Sequence, residues 1–285
     1  MTDTLIVLVH GAWHSSVHWV ATQRALTGLG VASAAVDLPG HGVDAPVPSG
    51  YLRAGQPGIT TERSPLADIS MRDNVDAVLS VLTQVRSRFR RVVLVGHSAS
   101  GGVVSGVAEE APELLDHLIY LSAFVPAGRP RFFDYLESPE NATAVGIPPV
   151  ADPAILGTFR INPLSDDPDV VATIHRSLLG SSSDDAPASP DTDGWRLLLQ
   201  PDLPLAIPST PVPVTAARWG SIARTFIRLT GDLALPVLTQ DLMIQEADAA
   251  IPDRRFAVRD LPGGHSPFVT RPAELATLLA DIAAA

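Results

Sequence analysis

Ser98 stands in the run "RVVLVGHSASGG" (Arg91 to Gly102), where an apolar stretch halts at Gly-His-Ser and gives way to a chain of small residues. A serine hydroxyl attacks a carbonyl only when a base removes its proton and its oxygen stands clear of the backbone. A sharp turn from strand into helix supplies the second condition. Gly96 and Ser100, two residues to either side of Ser98, are small enough for strand and helix to approach closely. Ser100 replaces the second glycine of the G-x-S-x-G pattern, and Gly101 follows it. The competing assignment for Ser98 is a helix cap. A second run, "LIVLVHGAW", leads from a strand into His10-Gly11-Ala12-Trp13. The backbone N–H of Ala12, together with that of Ala99, could point at an oxyanion as it develops. His10 is expected to shape this loop rather than act as a base.

These residues need elements to hold them. Short apolar runs at Leu5 to Val9, Val31 to Val36, Val92 to Val95 and Leu118 to Leu121 alternate with longer amphipathic stretches. That alternation predicts a parallel sheet with helices on both faces. "VATQRALTGLG" stops at glycine as a helix should, and Val75, Leu79, Leu82 and Val85 recur at helical intervals. Between Gly42 and Ile69, Pro, Gly and polar residues predict a long irregular excursion. From residue 128 to about 215 the alternation lapses, so this segment reads as an insertion into a core formed by residues 1–127 and 216–285 of one domain. Within it, "GSSSDDAPASPDTDG" is expected to be a surface loop without the ordered glycine and glutamate of a calcium loop. Alternation resumes with "TFIRLTGD", "LPVLTQDLMIQEADAA", "FAVRDLPGGH" and "RPAELATLLADIA".

Composition narrows the chemistry. The net charge of −11 offers no source of attraction to phosphate, so a nucleic-acid partner is not expected. All 20 basic residues are arginine, which excludes a lysine Schiff base, a lysine general base and a P-loop lysine. There is no cysteine, hence no disulfide, thiolate nucleophile or cysteine metal site. His10, His14 and His18 recur every four residues, but no HExxH glutamate accompanies them and the first ends a strand; neither metal nor cofactor is expected. Apolar runs fall short of the roughly 20 residues that span a bilayer, and the N-terminus lacks a basic leader. A cytoplasmic protein without a membrane partner is the expectation, with a homodimer compatible.

Together, "VHGAWHSSVHW", "DLPGHG", "LVGHSASGG", "LIYLSAFVP" and "GGHSPF" resemble the α/β-hydrolase superfamily, in the branch of plant methylesterases, hydroxynitrile lyases and their bacterial relatives. The resemblance implies an α/β-hydrolase fold with a mostly parallel central sheet flanked by helices, and a helical cap where the insertion falls. It also implies an acid and a histidine after the nucleophile, in that order. Asp232 in "RLTGDLALP" and His265 in "LPGGHSPF" meet that requirement, each just past an expected strand. Asp37 precedes the serine, and Asp241 and Asp248 fall inside an expected helix. The implied catalytic set is Ser98, Asp232 and His265, with Ala12 and Ala99 as the oxyanion hole. Trp13, His97 and Phe133 are expected to touch substrate. The implied activity is hydrolysis of a small ester or lactone through an acyl-enzyme. A non-hydrolytic lyase or cyclase acting on a natural-product intermediate, and a ligand-binding protein on the same scaffold, are the alternatives. Cyanide-releasing relatives use a lysine after the triad histidine, and Ser266 stands there instead.

Overall fold

A computed structural model describes residues 3–180 and 193–285. The "GSSSDDAPASPDTDG" loop lies almost wholly outside the described residues. Six strands form one sheet in the order β2-β1-β3-β4-β7-β8. They are β1 (Thr4–Val9), β2 (Ala32–Val36), β3 (Arg91–His97), β4 (His117–Leu121), β7 (Arg224–Leu229) and β8 (Ala257–Leu261). Every neighbouring pair in this sheet is parallel. Strands buried on both faces read as continuous apolar runs, which is why the sequence betrays them.

Side chains alternate across the sheet. Val7, Val9, Leu94 and Tyr120 face α2 (Met71–Val85), α3 (Ser100–Glu110) and α9 (Val237–Ala250). Ile6, Leu8, Val95 and Leu121 face α1 (Val20–Gly28), α10 (Pro267–Thr270) and α11 (Pro272–Ala284). The start of α2 is set by reciprocal capping: Ser70 Oγ accepts from the Asp73 amide at 3.2 Å and the Ser70 amide donates to Asp73 Oδ2 at 2.8 Å. No helix among the described residues is long and apolar enough to cross a membrane.

Between β4 and β7 the chain forms α4 (Phe132–Leu136), α5 (Pro153–Leu156), β5 (Thr158–Arg160), α6 (Pro168–Leu179), α7 (Gly194–Leu197), β6 (Asp202–Pro204) and α8 (Ala206–Ser209). Alongside its helices, this segment therefore contains an antiparallel ribbon, β5 against β6. The irregular excursion between β2 and α2 packs onto that ribbon around an ion pair within it. Arg160, fully buried, donates through Nε and Nη2 to Asp202 at 2.7 and 3.0 Å, and through Nη1 to the carbonyls of Ile59 and Glu62. Ser64 and Thr158 hydroxyls fill the remaining positions on the Asp202 carboxylate. Every guanidinium nitrogen and both carboxylate oxygens thereby have a protein partner, the condition under which a buried pair is tolerated.

Removing one partner strands the other charge. Arg160→Ala is expected to lower unfolding free energy in urea by about 3–5 kcal/mol, whereas Arg63→Ala, which breaks the exposed and solvent-screened pair with Asp68, should leave it nearly unchanged. Equal losses would show that the buried pair does not fasten the two segments.

Candidate active site

β3 ends at His97, and Ser98 follows with φ of +53°, in the left-handed region that side chains seldom occupy. The turn is held by three backbone bonds: the Ser98 amide donates to the Leu121 carbonyl, and the Ser98 carbonyl accepts from Gly101 and Phe124. A Cβ at Gly101 would collide with the Phe124 carbonyl, so the glycine that matters for close approach here lies three residues after the serine. Ser100 takes over a different task. Its hydroxyl accepts from the His97 amide at 2.9 Å and lies 2.8 Å from the His97 carbonyl and 3.1 Å from that of Val9, tying the elbow to β1.

His265 Nε2 lies 2.8 Å from Ser98 Oγ, and His265 Nδ1 lies 2.6 Å from Asp232 Oδ2. The same Oδ2 accepts from the Ser122 hydroxyl at 2.6 Å, and Oδ1 accepts from the amides of Ala234 and Leu235, both at 2.8 Å. A carboxylate facing these donors is an acceptor toward the imidazole, so the ring proton resides on Nδ1 and the Nε2 lone pair faces the serine. Ser98, Asp232 and His265 are all buried, and each follows the carboxyl end of a parallel strand. Ser122 went unnoticed in the sequence; its signal is its place directly after β4, the strand between those that lead to Ser98 and Asp232.

Ala12 and Trp13 follow β1 and lie over the elbow. A Cβ at Gly11 would sit 2.7 Å from both Ser98 Cβ and His97 Nδ1, so only glycine permits this approach. His10 holds the loop from beneath, donating from Nδ1 to the Gly11 carbonyl and accepting the Leu38 amide at Nε2. The amides of Ala12 and Ala99 donate to no protein acceptor among the described residues. Trp13, at φ of +61°, donates from Nε1 to the Phe159 carbonyl, and its own carbonyl accepts from the Gln200 amide.

A cavity of about 290 Å³ opens above Ser98 and His265. Ala12, Trp13 and Phe133 line it, together with aliphatic residues of the segment between β4 and β7, and among the described residues no charged side chain does. His97 does not line it, contrary to expectation. It falls on the same face of β3 as Val93 and Val95, so pleat alternation turns it away from the inserted segment. Its ring is fully buried 4.7 Å from that of His265, and its Nε2 donates to the His265 carbonyl at 2.8 Å. Ser266 is also turned away, its hydroxyl donating to His14 Nε2 at 3.1 Å. Asp241, on α9, pairs with Arg228. No group of three or more histidine or acidic side chains among the described residues could hold a metal.

Behind the site lies a layer of buried imidazoles. Burial pushes His10, His14 and His97 well below the ordinary histidine value, and pushes His18 down to about 4.

A parallel sheet carrying a serine on a strained strand-to-helix turn, with a histidine and an aspartate in hydrogen-bond reach behind it, is a geometry found among hydrolases of α/β fold. A profile described as the alpha/beta hydrolase family matches residues 6–278, and the chain belongs to that family. It is 28% identical to a pyrethroid hydrolase of Sphingobium wenxiniae, over 99% of this chain and 89% of that protein. It is 25% identical to the putative chloroplastic methylesterase 12 of Arabidopsis thaliana, over 97% of this chain and 71% of that protein. Among solved structures, a pyrethroid hydrolase superposes with a TM-score of 0.72 at 23% identity, covering 99% of this chain and 98% of the other. Polyneuridine aldehyde esterase superposes at 0.70 and 19% identity, covering 98% of both chains.

The buried imidazoles set an acid limit. Each stays neutral in the fold but takes a proton once unfolded, so the unfolded chain binds extra protons below about pH 6.5. Stability is expected to fall as pH drops from there, by up to about 1.4 kcal/mol per pH unit for each histidine. For His18 the loss levels off near pH 4. Urea midpoints measured between pH 7.5 and 4.5 should decline through this window; a flat profile would mean that these rings protonate in the folded state.

Proposed function

We propose that this protein is a serine esterase that hydrolyses small, uncharged carboxylic esters or lactones. The observation that carries the reading is the relay from Asp232 through His265 to Ser98 Oγ, opening onto a cavity without a charged side chain. The two relatives described above are by name a pyrethroid hydrolase and a putative methylesterase, which supports the same chemistry.

Ser98 attacks the substrate carbonyl while His265 Nε2 takes the hydroxyl proton. The tetrahedral oxyanion is held by the N–H groups of Ala12 and Ala99, whose freedom from protein acceptors leaves them available. Asp232 keeps the proton on Nδ1 and stabilises the imidazolium. His265 then protonates the departing alcohol, leaving an acyl group on Ser98. Water, activated by the same imidazole, releases the acid and restores the serine. No step draws on a metal or an organic cofactor. The apolar lining, including Trp13 and Phe133, favours esters neutral on both sides of the scissile bond, because a charged substituent would be desolvated without a partner.

Ser98→Ala should abolish turnover of an activated ester while leaving the protein folded. Asp232→Asn should reduce kcat by up to about 10⁴-fold through the wrong histidine tautomer. Asp241→Asn, remote from the cavity, should change kcat little. Steady-state kinetics on the three folded variants decide the matter: a near-normal rate in Ser98→Ala or Asp232→Asn would overturn the assignment.

A further inference from the structure

Among the described residues, three side chains with a hydroxyl or imidazole line the cavity: Ser98, His265 and Ser177. The first two are engaged with each other. Ser177, in the last turn of α6, is 2% exposed, and its hydroxyl bonds to no group among the described residues. Hydroxyls on helices commonly return their proton to the carbonyl four residues back. Ser105, Thr173 and Ser209 do so, to Gly101, Asp169 and Leu205. Ser177 does not, although Thr173 stands at that spacing. A buried hydroxyl that forgoes its local acceptor, on the wall of an otherwise apolar cavity, is placed to meet a polar atom of whatever fills the cavity.

Its position indicates which part of an ester that atom belongs to. The end of α6 packs on the loop that carries His265, the Leu178 carbonyl accepting the Ser266 amide at 2.8 Å. Ser177 is thus on the base side of the nucleophile, where the imidazolium delivers its proton to the departing alkoxide. A neutral partner fits best, since among the described residues no cation lines the cavity to balance a carboxylate. Building on the esterase reading, we propose that Ser177 determines specificity for the leaving group. Its hydroxyl donates to an ether or carbonyl oxygen within the alcohol part, so that oxygen-bearing uncharged esters are preferred over plain alkyl esters.

Two esters with the same acyl part, a 2-methoxyethyl and a butyl ester, have alcohol parts of equal length and differ by one oxygen. The quantity read is the ratio of their kcat/KM values, which cancels any general effect of a substitution and any difference in leaving-group acidity. In Ser177→Ala the ratio should fall about tenfold from that of the unaltered protein; an unchanged ratio would overturn the proposal. If neither ester is turned over, the esterase reading fails, and calorimetric titration with the two corresponding ketones tests Ser177 separately. A tenfold affinity advantage for the oxygen-bearing ketone that vanishes in Ser177→Ala sustains the contact. Equal affinities, or no binding of either ketone, refute it.

Discussion

The left-handed backbone at Ser98 is the constraint around which the rest of the site is arranged. A side chain in that region is strained by roughly 1–3 kcal/mol, and the turn persists because its neighbours leave it no alternative. The end of β4 accepts the Ser98 amide, Gly101 and Phe124 donate to the Ser98 carbonyl, and the Ser100 hydroxyl bridges the elbow to β1. The strain has a use: it lifts the serine oxygen off the carboxyl edge of the sheet. That edge opens where strand order reverses, between β1 and β3, because the chain leaves these two strands toward opposite faces. The proposed oxyanion loop follows β1 and the proposed nucleophile follows β3. Continuing across the sheet, Ser122 follows β4, Asp232 follows β7 and His265 follows β8. The spacing of the relay therefore follows the spacing of the strands that lead into it.

Much of this arrangement was legible before any coordinates. Parallel strands covered on both faces must be apolar throughout, so β1, β3 and β4 stand out as runs such as "LIVLV" and "RVVLV". The reactive residues stand at the ends of such runs beside glycines, where composition changes abruptly. What escaped notice depends on long-range geometry. His97 borders the nucleophile, yet pleat alternation sends it behind His265 to brace that residue's carbonyl. Ser100 reads as a small residue in the place of glycine, and its contact with the Val9 carbonyl emerges only when β1 lies beside β3. The β5–β6 ribbon has strands of three residues each, too short for a periodic signal.

The inserted segment and the sheet edge are joined at a few specific points. Trp13 links the oxyanion loop to Phe159 in β5 and to Gln200, so the wall of the cavity and the N–H groups beneath it are held by one residue. The Arg160–Asp202 pair draws the irregular excursion after β2 onto the same ribbon. An ion pair contributes less than apolar packing of equal volume but specifies its geometry more narrowly. A segment of short helices and turns has few packing constraints of its own, and such contacts give the cavity a defined shape. In the proposed reaction that shape, apolar apart from three hydroxyl or imidazole groups among the described residues, sets substrate choice, while the relay sets the chemistry.

The central claim is that Ser98 is an activated nucleophile, and covalent capture tests it most directly. A fluorophosphonate reacts only with a serine whose proton is withdrawn and whose oxyanion is supported. After incubation at neutral pH, intact-protein mass spectrometry should show a single adduct, and peptide mapping should place it on Ser98. Absence of an adduct, or an adduct on any other residue, would contradict the account.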